Sequence, residues 1–440
     1  MRLPKTVGVV SLGCSKNRVD SEVLLGQLRS MGVTPVADPA RAELIVVNTC
    51  GFIEPAKKES IDTIFEMAAY KQRGRCRLLL VTGCLSQRYP EALFQEIPEA
   101  DGFLGVACYD RLPTVLERLC KGERLVMTGE GERFFPAPRV LTTPPYSAYV
   151  KISDGCDNRC TYCAIPLIRG AYRSRDYGDI LQECGELVRG GVSEITLIAQ
   201  DTSRYGNDLS GGKLLLPDLL RDVSNLEGLH WLRVLYCYPD TVDERLLDTL
   251  VSLPKAARYL DLPLQHINGT LLKRMNRRGS PEHIRKLIKL CRERGILVRT
   301  TMILGFPGES DAMFNELLDF IREARFDRLG AFTFSPEEGT SAADMPGQLP
   351  EEVKQMRLDQ VMMTQQGISL EHNEGRIGET CEVLVEGFEG GSYFGRSLLE
   401  APEVDGLIRF DARSGLKAGQ YVFVRITGAD AYDLFGEAIG

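Results

Sequence analysis

Over the first 120 residues or so, short apolar runs alternate with amphipathic stretches. The apolar runs predict buried strands at 7–12, 44–47 and 78–81. Between them, the spacing of apolar positions predicts helices, for example at 21–31 and 57–70. Strands that alternate with helices favour a parallel sheet. We therefore predict an α/β domain with a parallel sheet over residues 5–120.

A second strand–helix series occupies residues 146–373. The predicted strands are 149–152, 194–199, 231–236, 259–262, 297–304 and 329–333. The predicted helices between and after them are 180–189, 244–253, 283–294, 313–324 and a connecting helix at 351–371. Six such units suit a partial (β/α)6 barrel better than a closed eight-fold one.

The pattern changes again over residues 375–440. Short strands punctuated by glycine are predicted at 380–385, 393–396, 406–410 and 421–426, which is typical of a small β-barrel. Between the first two domains, residues 121–145 mix glycines and prolines with polar residues, and we predict a linker there.

Composition narrows the cellular setting. A hydrophobic content of 43% supports globular cores, and no apolar run approaches the roughly 18 residues that a membrane helix needs. The start of the chain leads straight into a strand without the apolar segment of a secretory signal, so we expect a cytoplasmic protein. In that compartment the 13 cysteines are better interpreted as metal ligands or core residues than as disulfides.

The most specific motif is the triplet Cys156, Cys160 and Cys163, which follows the first barrel strand. Three thiolates within eight residues can hold a four-iron cluster and leave one iron open for a ligand. The alternative is a zinc knot, which needs a fourth ligand, and the nearest following histidine is the distant His230. The position also agrees with the carboxyl-terminal face where barrel enzymes place their sites.

A second set of thiols follows from the fold. Cys14, Cys50 and Cys84 each come two or three residues after a predicted strand of the first sheet. Loops at the carboxyl ends of parallel strands gather along one edge, so these thiols are predicted to meet and hold a second cluster. The alternative is three buried cysteines that act as small hydrophobic residues. The neighbouring glycines would let the backbone pass close to an inorganic centre, and these are Gly13, Gly51 and Gly83.

Four residues at the carboxyl ends of barrel strands are candidates for contact with an organic cofactor. Gly305 and Gly308 flank a turn after the fifth strand and permit close approach to a nucleoside. Gln200 and Asp201 end the second strand and offer acceptors to an amine or hydroxyl.

Two further segments belong to the same face of the barrel. A basic stretch after the Cys triplet faces either a carboxylate or solvent, and it contains Arg169, Arg173 and Arg175. Residues 332–340 end the sixth strand and are a candidate lining for a substrate entrance. The four histidines form no pattern that supports hydrolysis by a triad or by zinc.

The Cys-x-x-x-Cys-x-Tyr-Cys triplet on a partial barrel resembles the radical S-adenosylmethionine superfamily. The resemblance implies that the open iron chelates the methionine part of S-adenosyl-L-methionine, and that one-electron reduction yields a 5′-deoxyadenosyl radical. It also implies that Tyr162 stacks near the adenine.

The flanking domains are similar to those of the methylthiotransferase family. The motifs that carry this similarity are Ser-Leu-Gly-Cys-Ser-Lys-Asn at 11–17, Val-Asn-Thr-Cys-Gly-Phe at 47–52 and Val-Thr-Gly-Cys at 81–84. The terminal barrel resembles a TRAM domain. Membership implies two 4Fe-4S clusters, the amino-terminal one holding or delivering sulfur, and the use of S-adenosyl-L-methionine both as methyl donor and as radical source.

Two branches of that family differ in substrate. One modifies an aspartate of small-subunit ribosomal protein twelve at its β-carbon, and the other modifies isopentenyl-adenosine in transfer RNA. The 11–17 motif and Ser-Pro-Glu-Glu-Gly-Thr at 335–340 resemble the ribosomal-protein branch, whereas the RNA branch usually reads Gly-Cys-Gln-Met-Asn and Ser-Pro-Arg-Pro-Gly-Thr. A non-catalytic iron–sulfur electron carrier is the alternative of another class, but it needs no open iron.

Charge points to the same branch. Residues 375–440 contain six Arg and Lys against eleven Asp and Glu, a net of 6 − 11 = −5, and the whole chain carries −8. An acidic domain repels RNA phosphates and attracts a basic ribosomal protein, so we expect that protein and an electron donor as partners, and neither nucleic acid nor membrane. Of the candidate surface charges Glu382, Glu386 and Glu389, strand alternation puts the first two on one face, opposite Val383 and Val385, which favours that pair as outward-facing.

Overall fold

The computed structural model describes residues 2–129, 131, 134, 137–413 and 415–439. In these residues it has an amino-terminal α/β unit, a central partial barrel and a carboxyl-terminal β-barrel. Within the same residues, none of the helices has the length and apolar character needed to cross a membrane.

The amino-terminal unit is a parallel sheet of six strands in the order β2-β1-β3-β4-β5-β6. The strands are β1 (Thr6–Ser11), β2 (Thr34–Pro35), β3 (Leu44–Thr49), β4 (Leu78–Gly83), β5 (Gly102–Gly105) and β6 (Leu125–Met127). The helices are α1 (Ser15–Ser30), α2 (Glu54–Ala68), α3 (Tyr70–Arg73), α4 (Cys84–Arg88), α5 (Pro90–Glu96) and α6 (Leu112–Cys120). Strands β3 and β4 are buried along their whole length, as central strands of a two-sided sheet must be.

The register of this sheet places the carboxyl ends of β1, β3 and β4 at the same level. Ser11 of β1 pairs with Asn48 of β3, and Asn48 pairs with Thr82 of β4. The loops that follow these three strands therefore leave the sheet side by side. The predicted parallel sheet is confirmed, but sequence patterns found only its three longest strands; β6 lies inside the predicted linker.

The central unit contains six parallel barrel strands that run β7-β10-β11 and β12-β13-β14. A bridge between Leu232 and Ala256 joins the two halves. The strands of this unit are β7 (Ser147–Lys151), β8 (Ser153–Asp154), β9 (Arg173–Ser174), β10 (Glu194–Ile198), β11 (Trp231–Val234), β12 (Tyr259–Gln265), β13 (Leu297–Leu304) and β14 (Arg328–Thr333). The helices are α7 (Ile165–Arg169), α8 (Tyr177–Arg189), α9 (Leu216–Ser224), α10 (Glu244–Ser252), α11 (Gly269–Arg274), α12 (Pro281–Glu293), α13 (Asp311–Ala324) and α14 (Glu351–Glu374). The partial barrel is thus confirmed, with β7 and β14 as its edges.

The carboxyl-terminal unit is a closed five-stranded barrel in the order β15-β16-β17-β19-β18. Its strands are β15 (Thr380–Glu389), β16 (Ser392–Ser397), β17 (Ile408–Asp411), β18 (Tyr421–Ala429) and β19 (Leu434–Ala438). Four of them were predicted. The fifth, β19, has the sequence Leu-Phe-Gly-Glu-Ala, whose alternation is too short to stand out in the sequence.

Residues 398–405 of this small barrel pack against the inner face of the central one. Arg233 donates to the carbonyl oxygens of Leu398 and Glu400 at 2.9 Å each. The Tyr259 hydroxyl donates to Asp405 Oδ2 at 2.8 Å. Arg233 and Tyr259 lie on the face of the barrel strands opposite the helices. The terminal barrel therefore fills part of the central barrel's inner side and is fixed to it.

Candidate active site

The three amino-terminal thiols lie at the level carboxyl ends of β1, β3 and β4. Cys14 caps α1, Cys50 directly follows β3, and Cys84 is the first residue of α4. A Cβ on Gly13 would lie 2.9 Å from the Cβ of Cys50, so only glycine lets the first two loops approach this closely. Asn17 Oδ1 lies 3.4 Å from Cys84 Sγ, which brings the third loop to the same place. The predicted meeting of these loops is therefore observed.

The electrostatic surroundings of the three thiols differ. Desolvation raises the pKa of Cys14, but the charges of Lys16 and Arg169 more than offset it, so the pKa lies below its ordinary value. Burial raises the pKa of Cys50 and raises the pKa of Cys84 to about 12. Cys14 is also the exposed one of the three, so it is the most accessible thiol of the set.

Arg169 connects this thiol set to the central barrel. It is buried, and its Nη2 donates to Asn17 Oδ1 at 2.7 Å and to Asp20 Oδ2 at 2.8 Å. Its Nη1 donates to both oxygens of Asp154 at 3.1 and 3.2 Å. Lys151 completes the buried group of two cations and two carboxylates by bonding to Asp20 and Asp154. Of the three arginines in the predicted basic stretch, Arg169 faces carboxylates, Arg175 pairs with a glutamate, and Arg173 is exposed.

The second thiol set lies in the loop between β8 and α7. Cys156, Cys160 and Cys163 are all partly exposed. Burial raises the pKa of Cys156 to about 11 and that of Cys163 to about 12. Arg277, which the sequence did not single out, lies beside them, with its Nη1 3.8 Å from Cys160 Sγ and 3.4 Å from the Tyr162 hydroxyl.

Both thiol sets fit an iron–sulfur cluster in the chemistry of their donors. Within the described part of the chain, no three His, Cys, Asp or Glu side chains are arranged to hold a single metal ion. A four-iron cluster makes a different demand, because each thiolate binds a different iron at a corner of the cluster. Each set supplies three cysteines and has an arginine beside one of its sulfurs. Each set therefore meets that demand and leaves one iron of its cluster without a protein thiolate.

The predicted cofactor contacts occupy two different settings. Gln200 donates to Asp154 Oδ1 at 3.0 Å, and its buried Oε1 has no hydrogen-bond partner among the described residues. Asp201 is engaged inside the protein, accepting from Asn158 at 2.9 Å and from Ser203 at 3.1 Å. Thus Gln200 has a free acceptor at this end of the barrel, whereas Asp201 holds the Cys156 loop through Asn158.

Neighbouring side chains of the protein explain why glycine is needed at the two predicted positions, Gly305 and Gly308. A Cβ on Gly305 would lie 2.3 Å from Lys354 Cγ, and one on Gly308 would lie 2.3 Å from Arg274 Nη1. Both glycines have positive φ, at 72° and 80°. These positions therefore require glycine for packing and backbone conformation, whether or not the loop also contacts a cofactor.

The predicted entrance segment joins two domains. Phe332 is 57% exposed, but Glu337 is buried. The Glu337 carboxylate pairs with Arg88 at 3.0 Å and with Lys57 at 3.1 Å. It also accepts the backbone N–H of Glu54 at 3.0 Å. This loop therefore holds the thiol-bearing sheet against the barrel.

Family models match three parts of the chain. Residues 6–105 match Uncharacterized protein family UPF0004, residues 150–321 match the Radical SAM superfamily, and residues 377–439 match the TRAM domain. The first match contains the amino-terminal thiols and the second contains the Cys156 loop.

Two curated relatives are similar over almost their whole length. The ribosomal protein uS12 methylthiotransferase RimO of Pelotomaculum thermopropionicum is 49% identical, with 98% of this chain and 99% of the relative covered. The protein of the same name from Heliobacterium modesticaldum is 48% identical, with 99% and 96% covered.

A solved structure shares the fold. The radical S-adenosylmethionine methyltransferase TsrM from Kitasatospora setae, with cobalamin and a [4Fe-4S] cluster bound, matches with a TM-score of 0.58 at 17% identity. The match covers 77% of this chain and 74% of that one.

Proposed function

Because this chain belongs to the ribosomal protein uS12 methylthiotransferase family, we propose that it inserts a methylthio group at the β-carbon of an aspartate in that protein. It is a radical S-adenosylmethionine enzyme that uses S-adenosyl-L-methionine and two 4Fe-4S clusters. The observation that carries the assignment is identity of 49% over 98% of the chain to a relative of that name.

We assign the barrel cluster to Cys156, Cys160 and Cys163. When bound there with S-adenosyl-L-methionine, such a cluster supplies the radical that removes hydrogen from an unactivated carbon. The chain's own part is to hold the thiols at the open end of the barrel and to place Arg277 and Tyr162 beside Cys160. Tyr162, Gln200, Asp201, Gly305 and Gly308 stay our candidates for cofactor contact, and the unpartnered Oε1 of Gln200 supports that residue most directly.

We assign the second cluster to Cys14, Cys50 and Cys84, where it holds or delivers the sulfur. The level strand ends and the close approach of Gly13 to Cys50 support this assignment. The links through Arg169 and Glu337 keep this thiol set at a fixed position relative to the barrel. A fixed position is what transfer of a group between two sites requires.

The domain boundaries and partners are proposals of the same kind. We divide the chain into a methylthiotransferase domain at 5–120, a linker at 121–145, a radical barrel at 146–373 and a TRAM barrel at 375–440. The enzyme works in the cytoplasm and receives electrons from an electron donor. It meets its basic substrate through the acidic TRAM barrel, and nucleic acid is not its substrate.

The test compares the products in cells. Cells that lack this chain are analysed by mass spectrometry of uS12 and of transfer RNA, before and after the chain is restored. We expect the methylthio mass on a uS12 aspartate to disappear and to return only with the unchanged chain. A form with alanine at Cys156, Cys160 and Cys163 is the matched control and restores nothing. Loss of a methylthio group from transfer RNA instead would favour the RNA-modifying branch.

A further inference from the structure

Lys16 occupies an unusual position for a lysine. It lies in the first turn of α1, two residues after Cys14, and only 8% of its surface is exposed. Its Nζ sits 3.1 Å from the centre of the Tyr236 ring. The ammonium lies directly over the aromatic face, where a cation–π interaction stabilises it.

Among the described residues, no carboxylate lies within ion-pair distance of the Lys16 ammonium. Four other buried or half-buried lysines do have such partners: Lys57 with Glu337, Lys71 with Asp101, Lys151 with Asp20 and Lys354 with Glu351. An ammonium has three N–H donors, so Lys16 can bind an anion. Apart from the neighbouring Cys14 thiol, the described residues supply no anionic partner within ion-pair distance.

Tyr236 fixes the place where that anion would lie. It follows β11 at the carboxyl end of the barrel, and its φ of 64° lies in a region that bulky side chains rarely adopt. Asp261 holds this conformation by accepting the Tyr236 N–H at 3.0 Å, and the Tyr236 hydroxyl lies 3.4 Å from Ser15 Oγ. Strain of this kind is retained where surrounding contacts over-determine it, and it is common at binding sites. Tyr236 thus presents Lys16 where the barrel mouth meets the Cys14 loop.

We propose that Lys16, held on the Tyr236 ring, binds the side-chain carboxylate of the substrate aspartate. The inference rests on the proposed function, in which the modified β-carbon is bonded to that carboxylate. A cation two residues from Cys14 anchors the carboxylate and so places the neighbouring carbon beside the amino-terminal thiol set. It also selects aspartate over asparagine, because the asparagine amide carries no negative charge to pair with the ammonium.

The rival role for Lys16 is to balance the negative charge of the cluster held by Cys14 itself. The two roles differ in what responds to loss of the charge. A substrate anchor changes the discrimination between aspartate and asparagine, whereas a cluster counter-charge changes the reduction potential of the amino-terminal cluster.

The experiment uses the holoenzyme with both clusters and two forms of uS12. One form carries the target aspartate before reaction, at the position located by mass spectrometry, and the other carries asparagine there. Lys16→Met removes the charge and keeps an unbranched side chain. Lys71→Met is the matched control, since Lys71 pairs with Asp101 in the same domain. We expect the unchanged enzyme and Lys71→Met to bind the aspartate form at least tenfold more tightly than the asparagine form. Lys16→Met should bind the two forms alike and show a correspondingly higher KM for the aspartate form.

Two results would overturn the inference. These are equal binding of both forms by the unchanged enzyme, and tenfold discrimination retained in Lys16→Met, with or without a shifted cluster potential. The first comparison needs no variant, so it stands even if Lys16→Met fails to fold. An unchanged enzyme that neither binds nor modifies uS12 would refute the proposed function rather than the role of Lys16.

Discussion

Nη2 of Arg169 lies 3.6 Å from Sγ of Cys84, so a side chain of the barrel reaches a thiol of the amino-terminal sheet. Arg169 follows Cys163 by six residues, and its partner Asp154 precedes Cys156 by two. One guanidinium therefore connects the segment that carries one thiol set to a thiol of the other. This contact joins the two domains and places a positive charge beside the amino-terminal thiol set.

Replacing Arg169 with glutamine should lower the reduction potential of the cluster on Cys14, Cys50 and Cys84. The variant removes a charge and a hydrogen-bond donor to sulfur, both of which favour the reduced cluster. We expect a fall of about 60 mV, a tenfold change for one electron, in a redox titration followed by electron paramagnetic resonance.

Arg139 provides the control for this experiment. It spans the same domain interface, pairing with Glu22 and Glu183 and donating to the Tyr149 carbonyl oxygen at 2.8 Å. Arg139→Gln should weaken the interface without moving the potential. An unchanged potential in Arg169→Gln, or the same shift in both variants, would contradict the assigned effect.

Cluster content tests the six cysteine assignments. Protein reconstituted without oxygen should hold about eight irons, the sum of two four-iron clusters. Alanine at Cys156, Cys160 and Cys163 together should remove about half of the iron, and so should alanine at the amino-terminal three. Cys381→Ala, in the terminal barrel, should remove none. Tightly bound zinc without acid-labile sulfide would show that the thiols serve another purpose.

The sequence revealed both thiol sets because each has a local signal. One is a triplet within eight residues, and the other follows from three apolar strands with cysteine at equivalent places. The residues that support them have no local signal. Arg169 bonds to Asp20 across 149 positions of the chain and to Cys84 across 85. Such pairs depend on how domains pack, which strand and helix patterns do not encode.

The sequence patterns failed to predict short elements for a related reason. Strand β6 has three residues and lies in the segment predicted as a linker, where pairing with β5 rather than its own pattern makes it a strand. Gly305 was noticed for its freedom to approach a ligand, but the nearest atoms to its missing Cβ belong to Lys354 on α14. A single sequence shows that a glycine is required without showing what lies beside it.

Glu337 should control how firmly the amino-terminal domain is held to the barrel. Glu337→Gln leaves the buried Arg88 charge without its carboxylate, while Lys57 keeps its pair with Glu54, and breaking a buried pair in this way costs about 3–5 kcal/mol. We expect faster hydrogen exchange at the Glu54 amide, which donates to Glu337. The neighbouring Glu338 is exposed, so Glu338→Gln should leave exchange unchanged. Equal exchange in the two variants would mean that other contacts hold the interface.

Glu382 and Glu386 lie opposite the core residues Val383 and Val385, as strand alternation predicts, but neither is a free charge. Glu382 lies 2.8 Å from His230, and Glu386 pairs with the buried Arg396 at 2.9 Å. Strand alternation placed both away from the small barrel's core, but that side meets the central barrel. Reversing either charge would disturb domain packing as well as any partner.

Glu389 and Glu437 offer a cleaner test of attraction to uS12. Both are exposed, and neither has an ion-pair partner within the part of the chain that the structure describes. Changing both to lysine should slow association with uS12 at low salt, because long-range attraction acts mainly on the association rate. The difference from the unchanged enzyme should shrink as added salt shortens the screening length to about 8 Å or less. Equal association rates at low salt would remove the acidic barrel from the encounter.

His266 makes the stability of the barrel depend on pH. It is fully buried, its Nδ1 accepts the Asn268 N–H at 2.9 Å, and its Nε2 lies 3.8 Å from Glu309. Burial, together with the charge of Arg357, lowers the pKa of His266 to about 3. The unfolded chain takes up this proton near pH 6.5, whereas the folded chain resists it until about pH 3. Its contribution to stability is therefore present above pH 6.5 and is lost as the pH falls toward 3.

His266→Asn keeps an acceptor for the Asn268 N–H and removes the titrating ring. From pH 8 to pH 5, the free energy of unfolding should fall by about 2 kcal/mol less in this variant than in the unchanged protein. Trp231 is the single tryptophan, is buried in β11 and contacts Tyr421 of the terminal barrel, so its fluorescence during urea unfolding reports on the central barrel and on this contact. His283→Asn, at a half-exposed histidine of the same domain, is the control and should keep the original pH slope. Parallel pH slopes for the unchanged protein and His266→Asn would show that His266 is not the group whose protonation accompanies unfolding.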